Sequence, residues 1–209
     1  MLILSIIGII ILVVGAIFFF IDYAKGNKKQ MSSIIMVVGL ILGIGGYFGH
    51  TYQVHQEQVR QAQIKKAKEK AFADNYSNIS YYAYETGTRA EKVGNKLTKV
   101  WHAAIWDDGG ITIDGQNYTD FNKALNAQSD LYTSNGTIDK LDSKLNSLES
   151  TYKELKQNVT SKNTDKLSKA KNVVKDTKDL VNIVENPSGN YATFSSHFSD
   201  ADAKLSSDL

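Results

Sequence analysis

Apolar and polar positions divide this chain into two unlike parts. Residues 2–21 (LILSIIGIIILVVGAIFFFI) and 31–49 (MSSIIMVVGLILGIGGYFG) carry no charged side chain. Beyond residue 75 the apolar positions recur instead at alternating spacings of three and four among polar neighbours. A helix rises about 1.5 Å per residue, so an uncharged run of about twenty residues matches a hydrocarbon core of about 30 Å. The two runs therefore predict a hairpin of two transmembrane helices. No Lys or Arg precedes the first run, and it closes on Phe18-Phe19-Phe20 rather than on a small-residue cleavage site. It reads as a retained span, not as a signal peptide.

After the second run, residues 51–73 contain strong helix formers and neither Gly nor Pro, which predicts a helical stalk over 51–75. A stripe follows at Ile79, Ala83, Thr86, Ala90, Val93, Leu97, Val100 and Ala104, one face of a helix. Gly87 and Gly94 lie inside it and predict a local kink. Asp107-Asp108-Gly109-Gly110 ends that helix. Ile111 to Ile113 before Asp114-Gly115 fits a small β-turn or an extended loop. Thr119 or Asp120 caps a short helix over 121–131, and Ser134-Asn135-Gly136 makes a turn. Ile138, Leu141, Leu145, Leu148, Tyr152, Leu155 and Val159 form the clearest stripe, and Leu167, Ala170, Val174, Thr177, Val181 and Val184 form the next. The short polar link between these two predicts an antiparallel pair. Pro187 and Gly189 separate them from a last helix carrying Tyr191, Phe194, Phe198, Ala201 and Leu205. The expected class is all-α: a two-span hairpin over 1–50, a stalk over 51–75 continuous with the bundle, and an antiparallel bundle of about four helices over 76–209.

Within the second run, Gly39 and Gly43 are four apart, as are Gly45 and Gly49. Such spacing lets helix backbones approach closely. The short link favours packing on the first span, and a homo-oligomer through the same face is the alternative. The linker 22–30 carries Lys25, Lys28 and Lys29, whereas no basic side chain precedes the first run. The positive-inside tendency puts the linker in the cytoplasm and both the N-terminus and the C-terminal domain outside. Arg60, Lys65, Lys66, Lys68 and Lys70 pull the other way, but they begin well beyond the span, and long following domains translocate largely regardless of charge. They could touch anionic headgroups; a solvated stalk face is the reading preferred.

Charge and chemistry narrow the function further. A net charge of +2 over 209 residues provides no global field for nucleic acid. Without Cys there is no disulfide, thiolate metal site or Cys nucleophile. His50 and His55 are five apart, unsuited to sharing a metal on a helix. A His102–His197 pair with Asp107, Asp108 or Asp200 needs the first and last bundle helices to meet. The Asp107 to Gly115 stretch fails the calcium-loop pattern, and no phosphate loop, G-x-S-x-G or H-E-x-x-H occurs. Asp200 and Asp202 read as solvated charges. No catalytic, cofactor or metal residue is assigned. Tyr82 and Trp101 are read as core, and Tyr81, Tyr84 and Trp106 as a candidate partner surface.

Three segments carry a resemblance. They are Ala90-Glu91-Lys92 leading to Val100-Trp101-His102-Ala103-Ala104-Ile105; Asp120-Phe121-Asn122-Lys123-Ala124-Leu125; and Asn186-Pro187-Ser188-Gly189 with Tyr191, Thr193-Phe194-Ser195-Ser196, Phe198 and Ala201-Asp202. In this order, over about 76–205, the chain resembles a group of uncharacterised helical domains of low-GC Gram-positive bacteria and their prophages. Members are often tethered outside the membrane by a span or lipid anchor. Some carry paired cysteines, which this chain lacks. The resemblance implies an extracytoplasmic domain and no particular activity. Together these readings predict a non-enzymatic interaction module at the outer face of a bacterial membrane. Its partners would be the bilayer and a protein of the envelope or of phage origin, with blocking of phage DNA entry as one version. A scaffold subunit of a membrane complex is the alternative, and an enzyme using His102 a third.

Overall fold

The computed structural model describes residues 2–25 and 30–209. Among them are six helices and one hairpin: α1 (Leu2–Lys25), α2 (Gln30–Trp106), β1 (Ile111–Ile113), β2 (Gln116–Tyr118), α3 (Phe121–Ser134), α4 (Thr137–Gln157), α5 (Thr164–Glu185) and α6 (Tyr191–Asp208). The chain is all-α apart from that hairpin. Its contacts divide into two compact units, Met1–Lys66 and Ala67–Leu209.

The first unit is α1 with the beginning of α2. Both helices are long and apolar enough to cross a membrane. Their large side chains point outward, with Ile3 71% and Phe20 70% exposed. Lys25 closes α1; Lys28 and Lys29, on which the sidedness argument leans, lie outside the described residues. α2 is a single helix of 77 residues, so the second apolar run, the stalk and the first bundle helix share one element. Residues 51–68 are exposed throughout. The second unit begins earlier than the stripe from residue 76 predicts, because Phe72 is already buried.

In the second unit α2, α4, α5 and α6 form an antiparallel bundle. Glu85 on α2 meets Lys144 on α4 at 3.6 Å, and Glu69 meets Lys162 beyond the end of α4 at 3.8 Å, so those helices run oppositely. Gly87 sits against Leu205 and Gly94 against Phe198, seven residues forward on α2 for seven back on α6. The core has the expected stripes: Ile79, Ala83, Ala90, Val93, Leu97 and Val100 from α2, Leu141, Leu148 and Leu155 from α4, and Phe194, Phe198 and Leu205 from α6. α5 buries more than its stripe predicts, adding Val173, Leu180 and Asp176. Two buried hydroxyls are satisfied inside their own helices, Thr86 by the Tyr82 carbonyl at 2.6 Å and Thr177 by the Val173 carbonyl at 2.7 Å.

Gly87 and Gly94 do not interrupt the helix. α2 stays helical through both, and the missing side chains admit α6 instead. The Asp114-Gly115 stretch is the turn of a true hairpin, pairing Ile111 with Tyr118 and Ile113 with Gln116. Both turn residues have positive φ, 47° and 80°, as a two-residue type I′ turn requires. Asp120 caps α3 by accepting from the Lys123 N–H at 2.9 Å. Asn190 caps α6 in the same way, accepting from Thr193 at 2.9 Å.

Candidate functional site

Three features could meet a partner or a ligand: the glycine contact in the first unit, the aromatic surfaces of the bundle, and the open groove between α5 and α6.

The glycine contact follows a seven-residue repeat more than a four-residue one. Ser32, Gly39 and Gly46 are buried on one face of α2, each seven apart. A Cβ at Gly39 would lie 2.5 Å from the Leu12 backbone nitrogen, and one at Gly46 2.6 Å from that of Ser5. From the other side, a Cβ at Gly8 would run into the Gly43 backbone, and one at Gly15 would lie 2.9 Å from Met36. The Ser5 hydroxyl reaches the Gly43 carbonyl at 3.5 Å. Gly39 and Gly43 thus lie against α1. Gly45 does not: no atom lies within 4 Å of a Cβ built there. Gly49 is partly exposed. The four-residue spacing put Gly45 where Gly46 belongs and passed over Gly8 and Gly15. Their own spacing of seven on α1 was the available signal.

Tyr81, Tyr84 and Trp106 are exposed at 55%, 62% and 55%, yet they do not make one surface. Trp106 is 22 residues beyond Tyr84, about 33 Å along a helix. Its ring packs 4.8 Å from His102 and 4.9 Å from Tyr191, edge to face with the latter. Beneath them Trp101 is buried, stacked on Phe121 at 6.3 Å and tilted on Phe194 at 5.4 Å. Tyr81 lies by Lys144, whose ammonium is 5.9 Å from the ring centre. Tyr82 is half-buried beside it.

Between α5 and α6 runs an open groove of about 400 Å³ whose walls include Asp176, Asp179, Ile183, His197, Asp200 and Lys204. The Asp176 side chain is only 3% exposed. Its Oδ1 accepts from the Lys204 ammonium at 2.7 Å, and its Oδ2 is sealed from solvent without a hydrogen-bond partner. The bond to Asp176 holds the Lys204 ammonium above its usual range. Asp208 is also held above its usual range, by hydrogen bonding to Asp176 first and burial second.

A second carboxyl pair joins α4 to α5. Burial, then the negative charge of Asp142 and a hydrogen bond with it, push Glu185 up to about 7. Asp202, read from sequence as solvated, is partly buried beside Glu91, and desolvation first and that charge second raise it.

The first and last bundle helices do meet, as the His102–His197 reading requires. His102 nevertheless packs on Trp106 and Tyr191, while His197 lines the α5–α6 groove. Among the described residues no group of three or more His, Cys, Asp or Glu is placed to hold a metal. No family model, no curated protein and no solved structure matches this chain.

Proposed function

We propose that the chain is a membrane-anchored, non-enzymatic interaction module. α1 and the apolar start of α2 hold it in a bacterial bilayer, and the bundle meets a protein partner of the envelope or of phage origin at the outer face. The observation that carries this reading is the outward-facing apolar surface of the first unit. Ile3, Ile9, Ile10, Phe20, Ile34 and Ile41 are all more than half exposed. Each such side chain costs about 1.5–3 kcal/mol when left in water, and lipid removes that cost for all of them together. The Lys-rich linker supports an outside bundle. Trp106, exposed and held by His102 and Tyr191, is the kind of rigid aromatic that anchors a protein contact.

Flotation with vesicles and protease treatment of intact cells test the anchoring and its sidedness. The full-length chain is expected to float, and the bundle to be cut from outside. Recovery in the aqueous fraction without detergent would overturn the reading. The phage version rests on the prophage resemblance. Deletion with unchanged plating across a broad phage panel would remove it and leave the anchor standing.

A further inference from the structure

We infer that the chain pairs in parallel with a second copy of itself through an uncharged stripe of α2. Gly45, Gly49, Tyr52, Gln56, Val59 and Gln63 follow spacings of four, three, four, three and four. On a helix of 3.6 residues per turn they stay within about 40° of one line. That line lies about a third of a turn from the face bearing Ser32, Gly39 and Gly46, so α1 leaves it uncovered. Gly45 has open space beside it, and Tyr52, Gln56, Val59 and Gln63 are all exposed.

Charge and amide chemistry both fit a second copy as the occupant. Between residues 45 and 63, Glu57 and Arg60 are the only Asp, Glu, Lys or Arg, and they pair with each other at 2.8 Å to one side of the stripe. The next position of the repeat is Lys66, and there the stripe ends. A neutral face within a charged segment repels no copy of itself. The amides of Gln56 and Gln63 are both donors and acceptors, so the same residue from a parallel copy satisfies each. Buried polar residues at such positions fix register in parallel coiled coils. Gln56 already donates to the Tyr52 hydroxyl at 2.6 Å, joining the two into one polar edge of the stripe. Gly45 and Gly49 let the two backbones close at the start of the contact. A helix that is exposed from 51 to 68 is marginal alone in water, and a partner offsets that. The inference rests on the proposed anchoring for one thing, the parallel alignment of copies.

The chain has no Cys, so a single introduced Cys reports cleanly. The test uses the full-length chain in its own membranes, with Gln56→Cys, Val59→Cys or Gln63→Cys on the stripe and Gln58→Cys or Gln61→Cys off it. Mild oxidation is expected to give at least about fivefold more disulfide dimer at the stripe positions. Equal cross-linking at all positions, a maximum at 58 or 61, or no dimer at any position would overturn the pairing. The double variant Gln56→Lys with Gln63→Lys puts like charges in the contact and is expected to lower the dimer fraction in mild detergent by about tenfold; an unchanged fraction would also overturn it. Flotation of the same samples separates the two claims. A chain that floats without periodic cross-linking keeps its anchor and loses the pairing. One that cross-links with the period but does not float keeps the pairing and loses the anchor.

Discussion

At position 94 a missing side chain decides how two helices meet. A Cβ there would collide with the Phe198 ring, so Gly94→Ala is expected to cost about 1–3 kcal/mol through overpacking. Phe198→Leu in the same chain should return part of that loss, which thermal melts of the two single variants and the double variant would show. Asp176 poses the opposite problem, a buried charge that depends on its neighbour. Lys204→Met removes the nearer of its two ammonium partners, leaving Lys175 at 3.8 Å, and is expected to lower the melting temperature. Adding Asp176→Asn should recover much of this, because the buried charge, by then facing only Lys175, is gone. Glu185 gives the pH dependence. Its proton is held more tightly in the folded chain, so its contribution to stability is complete below about 4.5 and is lost as pH rises through about 7. Glu185→Gln should therefore raise the melting temperature at pH 8 and leave it nearly unchanged at pH 4. Glu185 is only partly buried, and the gain is about 1 kcal/mol.

Individual elements were legible where the sequence was periodic. Every buried residue of α4 and α6 lies on its expected stripe, since a helix facing a bundle must bury its apolar line, while Leu145, Tyr152, Tyr191 and Ala201 on the same stripes are only partly buried. The cap of α3 was legible to within two candidates, Thr119 and Asp120, for a similar local reason, an oxygen-bearing side chain just before an apolar run. β2 was not, because Gln116-Asn117-Tyr118 has no alternation and its pairing is set by the turn before it. Nor was burial of Asp176, which depends on Lys204 arriving from another helix. The glycine contact was half legible: clustering showed in the sequence, but which glycines face α1 depends on the partner's own gaps at Gly8 and Gly15. A paired comparison tests the outcome. Gly39→Leu is expected to force α1 and α2 apart and Gly45→Leu to leave that contact intact. Cysteine pairs placed on α1 and α2 would read this by cross-linking. Equal loss in both variants would contradict the assigned faces.

At the scale of the whole molecule, the exposed segment 51–68 should be the first place a protease enters. Trypsin acting on the detergent-solubilised protein is expected to cut between Arg60 and Lys70 and leave a resistant fragment beginning near Ala67, whose buried core starts at Phe72. Early cuts inside α4, α5 or α6 would contradict this division. The resemblance that pointed to an outer-face domain reached only the second unit, and nothing else in the sequence reported what that unit binds. The closeness of α1 to α2 has a different kind of consequence. It is built from atoms that are absent at Gly8, Gly39 and Gly46. A glycine can be replaced only by something larger. Inherited change at these three sites therefore runs in one direction, toward crowding, and descendants of this chain should vary there far less than along its greasy outer flank, where one bulky aliphatic group can stand in for another.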